Sequence, residues 1–276
     1  MSLGIVIKGP EGLVLAADSR VTFGVKYQNG ETFHVNFDNA TKLLSFSDPN
    51  RPVGVVTYGQ GIVGKTNRTA QSYLPEFEYG LPEQRLSVQE FAQKLSTFFL
   101  DQWNAAQPEN YNGPPMVFVV AGYNEFEHFG RIYLFEIPGK PEPKEQNPGP
   151  DQFGMTWGGQ REFVDRIIQG YDERVIEITS KLLSMNEEQK GLLKQQLQQI
   201  SMQLPFQLLP LQDCVDLAIF LIRATIDAQR LSVVLRGVGG PIEVATITRR
   251  EGFRYIQRKD IVGEGDRYYE LTNRTC

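Results

Sequence analysis

The first nineteen residues constrain this chain most. Two apolar runs, Leu3–Lys8 and Leu13–Ser19, flank the turn sequence Gly9-Pro10-Glu11-Gly12. Runs rich in Val, Ile and Leu on either side of a Gly/Pro turn predict a β-hairpin. A hairpin that begins at the third residue ties down a terminus that would otherwise fray. Residues 24–39 are polar and contain glycine, so they read as a loop with some irregular strand. Lys42–Phe46 and Val53–Tyr58 predict a second hairpin across Asp48-Pro49-Asn50.

The hydrophobic period then changes. Gly61–Phe77 and Ser87–Ala106 read as helices, the second with Val88, Phe91, Leu95, Phe98 and Phe99 on one face. Strands are expected at Met116–Tyr123 and Arg131–Ile137. Residues 138–152 hold five prolines (Pro138, Pro141, Pro143, Pro148, Pro150) among polar residues and predict an exposed Pro-rich loop. A short strand, Gly154–Trp157, leads through Gly158-Gly159 into a helix over Arg161–Gln169. Residues 172–209 form a helical extension whose Leu193, Leu197, Ile200 and Leu204 are amphipathically spaced, for a subunit contact or for packing over the chain's own body. Leu211–Gln229 is apolar nearly all round, as in a helix between layers or at a subunit contact. Ile242–Thr248 and Phe253–Arg258 are the last strands. No repeat or boundary divides the sequence, so residues 1–276 read as a single domain. Blocks of hairpins alternating with blocks of helices argue against regular βαβ units and for antiparallel sheets covered by helices. The expected class is α+β, a four-layer αββα sandwich.

Composition narrows the function. Formal net charge is −5 and the basic residues are scattered, which argues against a nucleic-acid partner. No stretch reaches the roughly 20 apolar residues of a membrane span. The start, Met-Ser-Leu-Gly, shows no signal peptide, so a soluble cytoplasmic protein is expected. The two cysteines, Cys214 and Cys276, imply no disulfide framework. His34 and His128 lie far apart without companion ligands, so no metal site is expected. Glycosylation-like triplets at Asn39, Asn67 and Asn273 are taken as chance in a chain without a secretion signal.

The segment from Ser2 to Thr22, with Ala16-Ala17-Asp18-Ser19-Arg20-Val21-Thr22 at its end, resembles the opening of mature proteasome β subunits and their bacterial relatives. Asp18 follows Ser2 by 16 positions, the family spacing without a gap. The segment Arg236–Glu243 and the total length look closest to the bacterial Anbu group, the ancestral β subunits. The resemblance implies an N-terminal nucleophile hydrolase acting on peptide or other amide bonds. Ser2, exposed once Met1 is removed, would be the nucleophile. Lys42, in Thr41-Lys42-Leu43-Leu44, would lower the amine's pKa and shuttle protons, and Asp18 would pair with it. Gly59 would supply the oxyanion-holding N–H. The backbone at Thr22 would pair with substrate, while Val21, Ala40 and Thr57 would line a modest uncharged pocket. No cofactor or metal is implied. The partners implied are further copies of the chain, in rings or open spirals, together with an amide substrate; an ATPase partner is not visible in the sequence.

The chemistry gives its own reason for this arrangement. A serine hydroxyl is a poor nucleophile until a base takes its proton. A free α-amine, with a pKa of about 7.7–8.0, can be that base. An initiator Met before a small residue is readily removed.

Two places depart from the family pattern. The expected Gly-Ser-Gly turn reads Trp157-Gly158-Gly159-Gln160, without its serine. The expected Asp-x-x-Ser has no clean counterpart in Asp227–Ser232; Asp227 or Ser232 could serve after a shift, with Gln229 in an acidic place. These departures leave open a catalytically inactive structural subunit. A further alternative is nucleotide binding, because Gly59–Thr66 fits the phosphate-loop pattern G-x-x-x-x-G-K-[ST]. Against it, the preceding strands pair as hairpins and no apolar strand ending in Asp follows. Arg131–Phe135 runs into Glu136, and Met116–Ala121 into Gly122.

Overall fold

The computed structural model describes residues 2–26, 30–106, 111–149 and 151–263. Met1, Pro150, Asn273 and Cys276 lie outside the described residues. Strands β1 (Leu3–Lys8) and β2 (Leu13–Ala17) form the expected hairpin, closed by Gly9 N–H donating to Gly12 O at 3.0 Å. Every residue of both is buried. Leu3, Ile5, Ile7, Val14 and Ala16 face one apolar cluster, and Val6, Leu13, Leu15 and Ala17 another. Both faces are covered, so the sequence shows unbroken apolar runs rather than alternation.

β3 (Val21–Lys26) and β4 (Thr32–Phe37) pair with each other as a separate two-stranded ribbon. This corrects the loop expected over 24–39: Val21, Phe23 and Val25 on one strand and Phe33, Val35 and Phe37 on the other alternate with polar residues, a period-two pattern that the glycines and polar residues around it obscured. β5 (Leu43–Ser45) and β6 (Val53–Gly59) make the second hairpin. The helix expected over Gly61–Phe77 is mostly absent. Two 3₁₀ turns, Gly64–Thr66 and Ala70–Tyr73, precede a short α1 (Leu74–Tyr79). Gly64 and Asn67, at φ 54° and 55°, are in left-handed backbone that no α-helix continues through.

α2 (Val88–Ala106) buries Val88, Phe91, Leu95, Phe99 and Trp103. β7 (Met116–Gly122) and β8 (Arg131–Ile137) follow, and then β9 (Lys140–Gln146), in the middle of the supposed Pro-rich loop. β9 is an edge strand, so Pro141 and Pro143 need not supply N–H groups to a further neighbour. Its charges, Lys140, Glu142 and Lys144, also discourage edge-to-edge pairing.

β10 (Gly154–Gly159) leads into α3 (Glu162–Ile168). In the extension, α4 (Glu173–Leu182) is capped by the Asp172 carboxylate and α5 (Glu187–Leu197) by an Asn186/Gln189 capping box. α6 (Leu211–Leu231) buries one face through Cys214, Val215, Ala218, Leu221, Ile222 and Thr225. Phe220 is half exposed, so the helix is one-sided rather than apolar all round. β11 (Glu243–Thr248) and β12 (Gly252–Gln257) complete the strands.

The sheets run β10-β1-β2-β11-β12 and β5-β6-β7-β8-β9, antiparallel throughout. One cluster joins α1 and α2 to the second sheet, another joins α3 and α6 to the first, and a third fills the space between the sheets. The αββα order is therefore observed.

Candidate active site

β1 alternation decides where Ser2 points. Leu3, Ile5 and Ile7 face the helices, so Ser2 and Gly4 face the opposite sheet. Ser2 is buried (4% exposed), and its carbonyl accepts the Gln160 N–H at 2.7 Å. Gly159, at φ 96°, makes that contact possible, because a Cβ there would stand 1.9 Å from Ser2 O. The Ser2 hydroxyl has no hydrogen-bond partner among the described residues. It borders a small cleft that is also lined by Val21, Ala40, Lys42, Thr57 and Gly59. An adjoining recess adds Thr22 and His34 from the ribbon. Thus seven of the eight expected site residues open onto one cleft system, and Asp18 lies behind it.

Gly59 ends β6 at φ 86°, and a Cβ there would meet Pro115 O at 2.2 Å. The chain can turn out of the sheet toward the cleft here only with glycine.

Asp18 is wholly buried and fully hydrogen-bonded. Oδ1 accepts Leu3 N–H at 2.9 Å and Lys42 Nζ at 2.7 Å; Oδ2 accepts Arg20 N–H at 3.1 Å and Gly239 N–H at 3.0 Å. Lys42, 4% exposed, also donates to Arg20 O at 2.6 Å, leaving its third N–H for the cleft. Burial is the main force on Lys42 and pulls its pKa below the ordinary lysine value; Asp18 opposes this, and Lys259 reinforces it.

Lys259 belongs to a second buried pair that sequence reading missed. Its Nζ lies 2.8 Å from Glu243 Oε2, off hydrogen-bonding geometry, and donates to Ser19 Oγ at 3.1 Å and Ala40 O at 3.0 Å. It pins the chain after β12 to both segments that carry site residues. At the ribbon's base, Arg20 holds Asp38 with two bonds of 2.6 and 2.7 Å. Hydrogen bonding to Asp38 is the main cause that raises the Arg20 pKa, and hydrogen bonding to Arg20 is the main cause that lowers that of Asp38.

Neither Asp227 nor Ser232 serves the site. Asp227 is half exposed beside Arg230, and Ser232 Oγ donates to Ala228 O. Buried Gln229 takes part instead: Nε2 donates to Gln160 Oε1 at 2.9 Å and Oε1 accepts Val238 N–H at 3.0 Å, bracing the residue that grips Ser2. The phosphate-loop reading also fails on geometry. β6 is antiparallel to both neighbours, and Gly64–Thr66 forms a single 3₁₀ turn rather than a helix start. The Lys65 side chain lies outside what the structure describes. Cys214 is no rival nucleophile, because burial pushes its thiol up to about 11. Among the described residues no group of three His, Cys, Asp or Glu could hold a metal ion, and no helix is long and apolar enough to cross a membrane.

Two antiparallel sheets lie between helix layers, with Ser2 at the head of a buried hairpin. The fold is that of the Anbu structures, the ancestral β subunits. The chain is similar to Anbu from Pseudomonas aeruginosa, solved as a helical assembly (17% identity, TM-score 0.57, 99% of this chain and 91% of that one). It is also similar to an Anbu Gly-1 mutant from Hyphomicrobium sp. strain MC1 (14%, 0.55, 99% and 93%) and to Anbu from Yersinia bercovieri (18%, 0.54, 99% and 98%). No protein-family model and no curated protein matches the chain.

Proposed function

We propose that this protein is a self-assembling, proteasome-like amidohydrolase of one domain, acting in the cytoplasm with Ser2 as its N-terminal nucleophile. The observation that carries the reading is the meeting of Ser2, Lys42 and Gly59 on one cleft, with the buried Asp18 carboxylate fixing Lys42 from behind. With Met1 removed, Ser2 Oγ attacks the amide carbonyl and the Ser2 α-amine takes the hydroxyl proton. The oxyanion sits on Gly59 N–H, and the Lys42 ammonium adds positive charge nearby. The tetrahedral adduct collapses as the amine passes its proton to the leaving nitrogen. Water, deprotonated by the same amine, then hydrolyses the acyl ester on Ser2. No cofactor or metal takes part.

An extended chain would lie along the edge of β3, which pairs with β4 on one side only. Thr22 main chain would hold it, and Val21, Ala40 and Thr57 would form an uncharged pocket for the residue before the scissile bond. Self-association into an open spiral or ring is supported by the helical assembly of the P. aeruginosa structure. Exposed Val25, Phe33, Val35 and Phe37 on one face of the ribbon support it too. The second reading, a catalytically silent structural subunit, draws on the turn Trp157-Gly158-Gly159-Gln160, which lacks the serine that the family resemblance leads one to expect.

Intact-mass analysis with and without a peptidyl β-lactone tests the choice. Loss of Met1 together with a single adduct mapped to Ser2 is the expected result. A retained Met1, or a processed protein that takes no adduct, would assign the chain to the silent reading.

A further inference from the structure

Of the residues proposed to wall the pocket, Val21 and Thr57 sit on strands and Ala40 does not. Val21 begins β3 and Thr57 belongs to β6, where the ladders hold them. Ala40 lies in the irregular chain between β4 and β5, so its place depends on individual bonds. Its N–H donates to Ser19 O at 2.9 Å, and its carbonyl accepts Lys259 Nζ at 3.0 Å. The same ammonium donates to Ser19 Oγ at 3.1 Å, so Lys259 closes a clamp on Ala40. The clamp has a firm base. Glu243, 2.8 Å from Lys259 Nζ, is buried at the start of β11 and is the register partner of Ala17, next to Asp18.

This part of the wall has a cleft on one side and a hollow on the other. Ala40 and Thr41 line the cleft that holds Ser2. Asn39 and Thr41 line a larger recess together with Glu243, Gln257 and Lys259. Thr41 borders both, so residues 39–41 are the partition between them. Among the described residues, this recess and the Lys259 ammonium back the partition, so the chain has room to yield away from Ser2 once the clamp is released. An apolar pocket reads side-chain size at about tenfold or more per methylene, so a small displacement of its wall changes which side chain fits.

We propose that Lys259 is a positioning residue that sets specificity: its grip on Ala40 and Ser19 fixes the depth of the pocket and restricts it to small uncharged side chains, such as that of alanine, before the scissile bond. The proposal rests on the Ser2 reading above. Lys259 itself touches no substrate; it acts through Ala40.

The test uses protein confirmed by mass to begin at Ser2 and two peptidyl β-lactones that differ in the side chain entering the pocket, methyl in one and isobutyl in the other. Saturation kinetics give each probe's binding constant and maximal acylation rate. Lys259→Met alone would strand the buried Glu243 carboxylate, so the variant combines Lys259→Met with Glu243→Gln. The wild type is expected to bind the methyl probe more tightly. In the double variant that preference should fall by about tenfold, with the two maximal rates changed by a common factor. The preference is a ratio taken on one protein, so partial unfolding leaves it unchanged. Glu243→Gln alone keeps both bonds of Lys259 and should keep the wild-type preference. A double variant with the wild-type preference, a Glu243→Gln variant that shifts as far as the double, or a wild type that binds the isobutyl probe as tightly as the methyl one overturns the proposal while leaving Ser2 as nucleophile. A wild type that takes no adduct on Ser2 from either probe overturns the Ser2 reading, and the proposal with it.

Discussion

Asp18 shows how much one side chain can hold. Its two oxygens gather N–H groups from Leu3, Arg20 and Gly239 and the ammonium of Lys42, all out of contact with water. Asp18→Asn removes the charge that keeps Lys42 in place and turns one oxygen into a donor facing donors. It should cost about 3–5 kcal/mol of stability in urea unfolding and slow Ser2 acylation by about a hundredfold or more. Lys42 carries a pH signature. Its pKa in the fold is lowered by burial, so between that value and the usual lysine range the unfolded chain binds more protons than the folded one. Its contribution to stability is therefore least favourable when both states are protonated and improves as pH rises through that window. Urea melts at rising alkaline pH should show wild type gaining stability relative to Lys42→Met. Ser2, Asp18, Lys42 and Gly59 were singled out through the family resemblance, and the structure brings Ser2, Lys42 and Gly59 to one cleft with Asp18 behind it. Lys259 and Glu243 were not, because Lys259 meets Ser19 and Ala40 from far along the chain, and no local pattern marks such contacts.

At the scale of elements, the sequence signal was strong wherever both faces of a segment are buried and weak wherever one is wet. β1, β2, β5, β6, β7 and β8 fell where apolar runs predict them. The β3–β4 ribbon and β9 did not: the ribbon's alternating apolar residues are surrounded by glycines and polar residues, and the prolines of β9 read as a loop. The run Gly61–Phe77 has helical spacing, but left-handed Gly64 and Asn67 break it into turns. The end of β6 gives a prediction at this scale. Gly59→Ala puts a methyl group against Pro115 O in left-handed backbone, so β6 and β7 must separate or the chain must leave that conformation. The variant should lose about 1–3 kcal/mol of stability and should also lose Ser2 acylation. Amide hydrogen exchange should show the loosening concentrated at the Gly59–Met116 end of the ladder rather than at Val53–Gly122.

For the whole molecule, the order of strand and helix blocks was enough to give the αββα arrangement, because hairpin blocks can bury both faces only by stacking. The extension over 172–209 was legible as helix, but not where it would pack. α5 buries none of its side chains, and Ile178, Leu182, Leu183 and Leu192 are largely exposed. With Val25, Phe33, Val35 and Phe37 of the ribbon, they are the exposed apolar residues that a contact between copies would cover. Sedimentation velocity should accordingly find species heavier than one 31.3 kDa chain, increasing with concentration. The four-way grip on Asp18 also has a consequence in time. Leu3, Arg20, Lys42 and Gly239 must all have left the ribosome before the grip on Asp18 can close. The buried pair at the head of the fold is therefore completed late, by a glycine more than two hundred residues along the chain from the carboxylate it helps to hold.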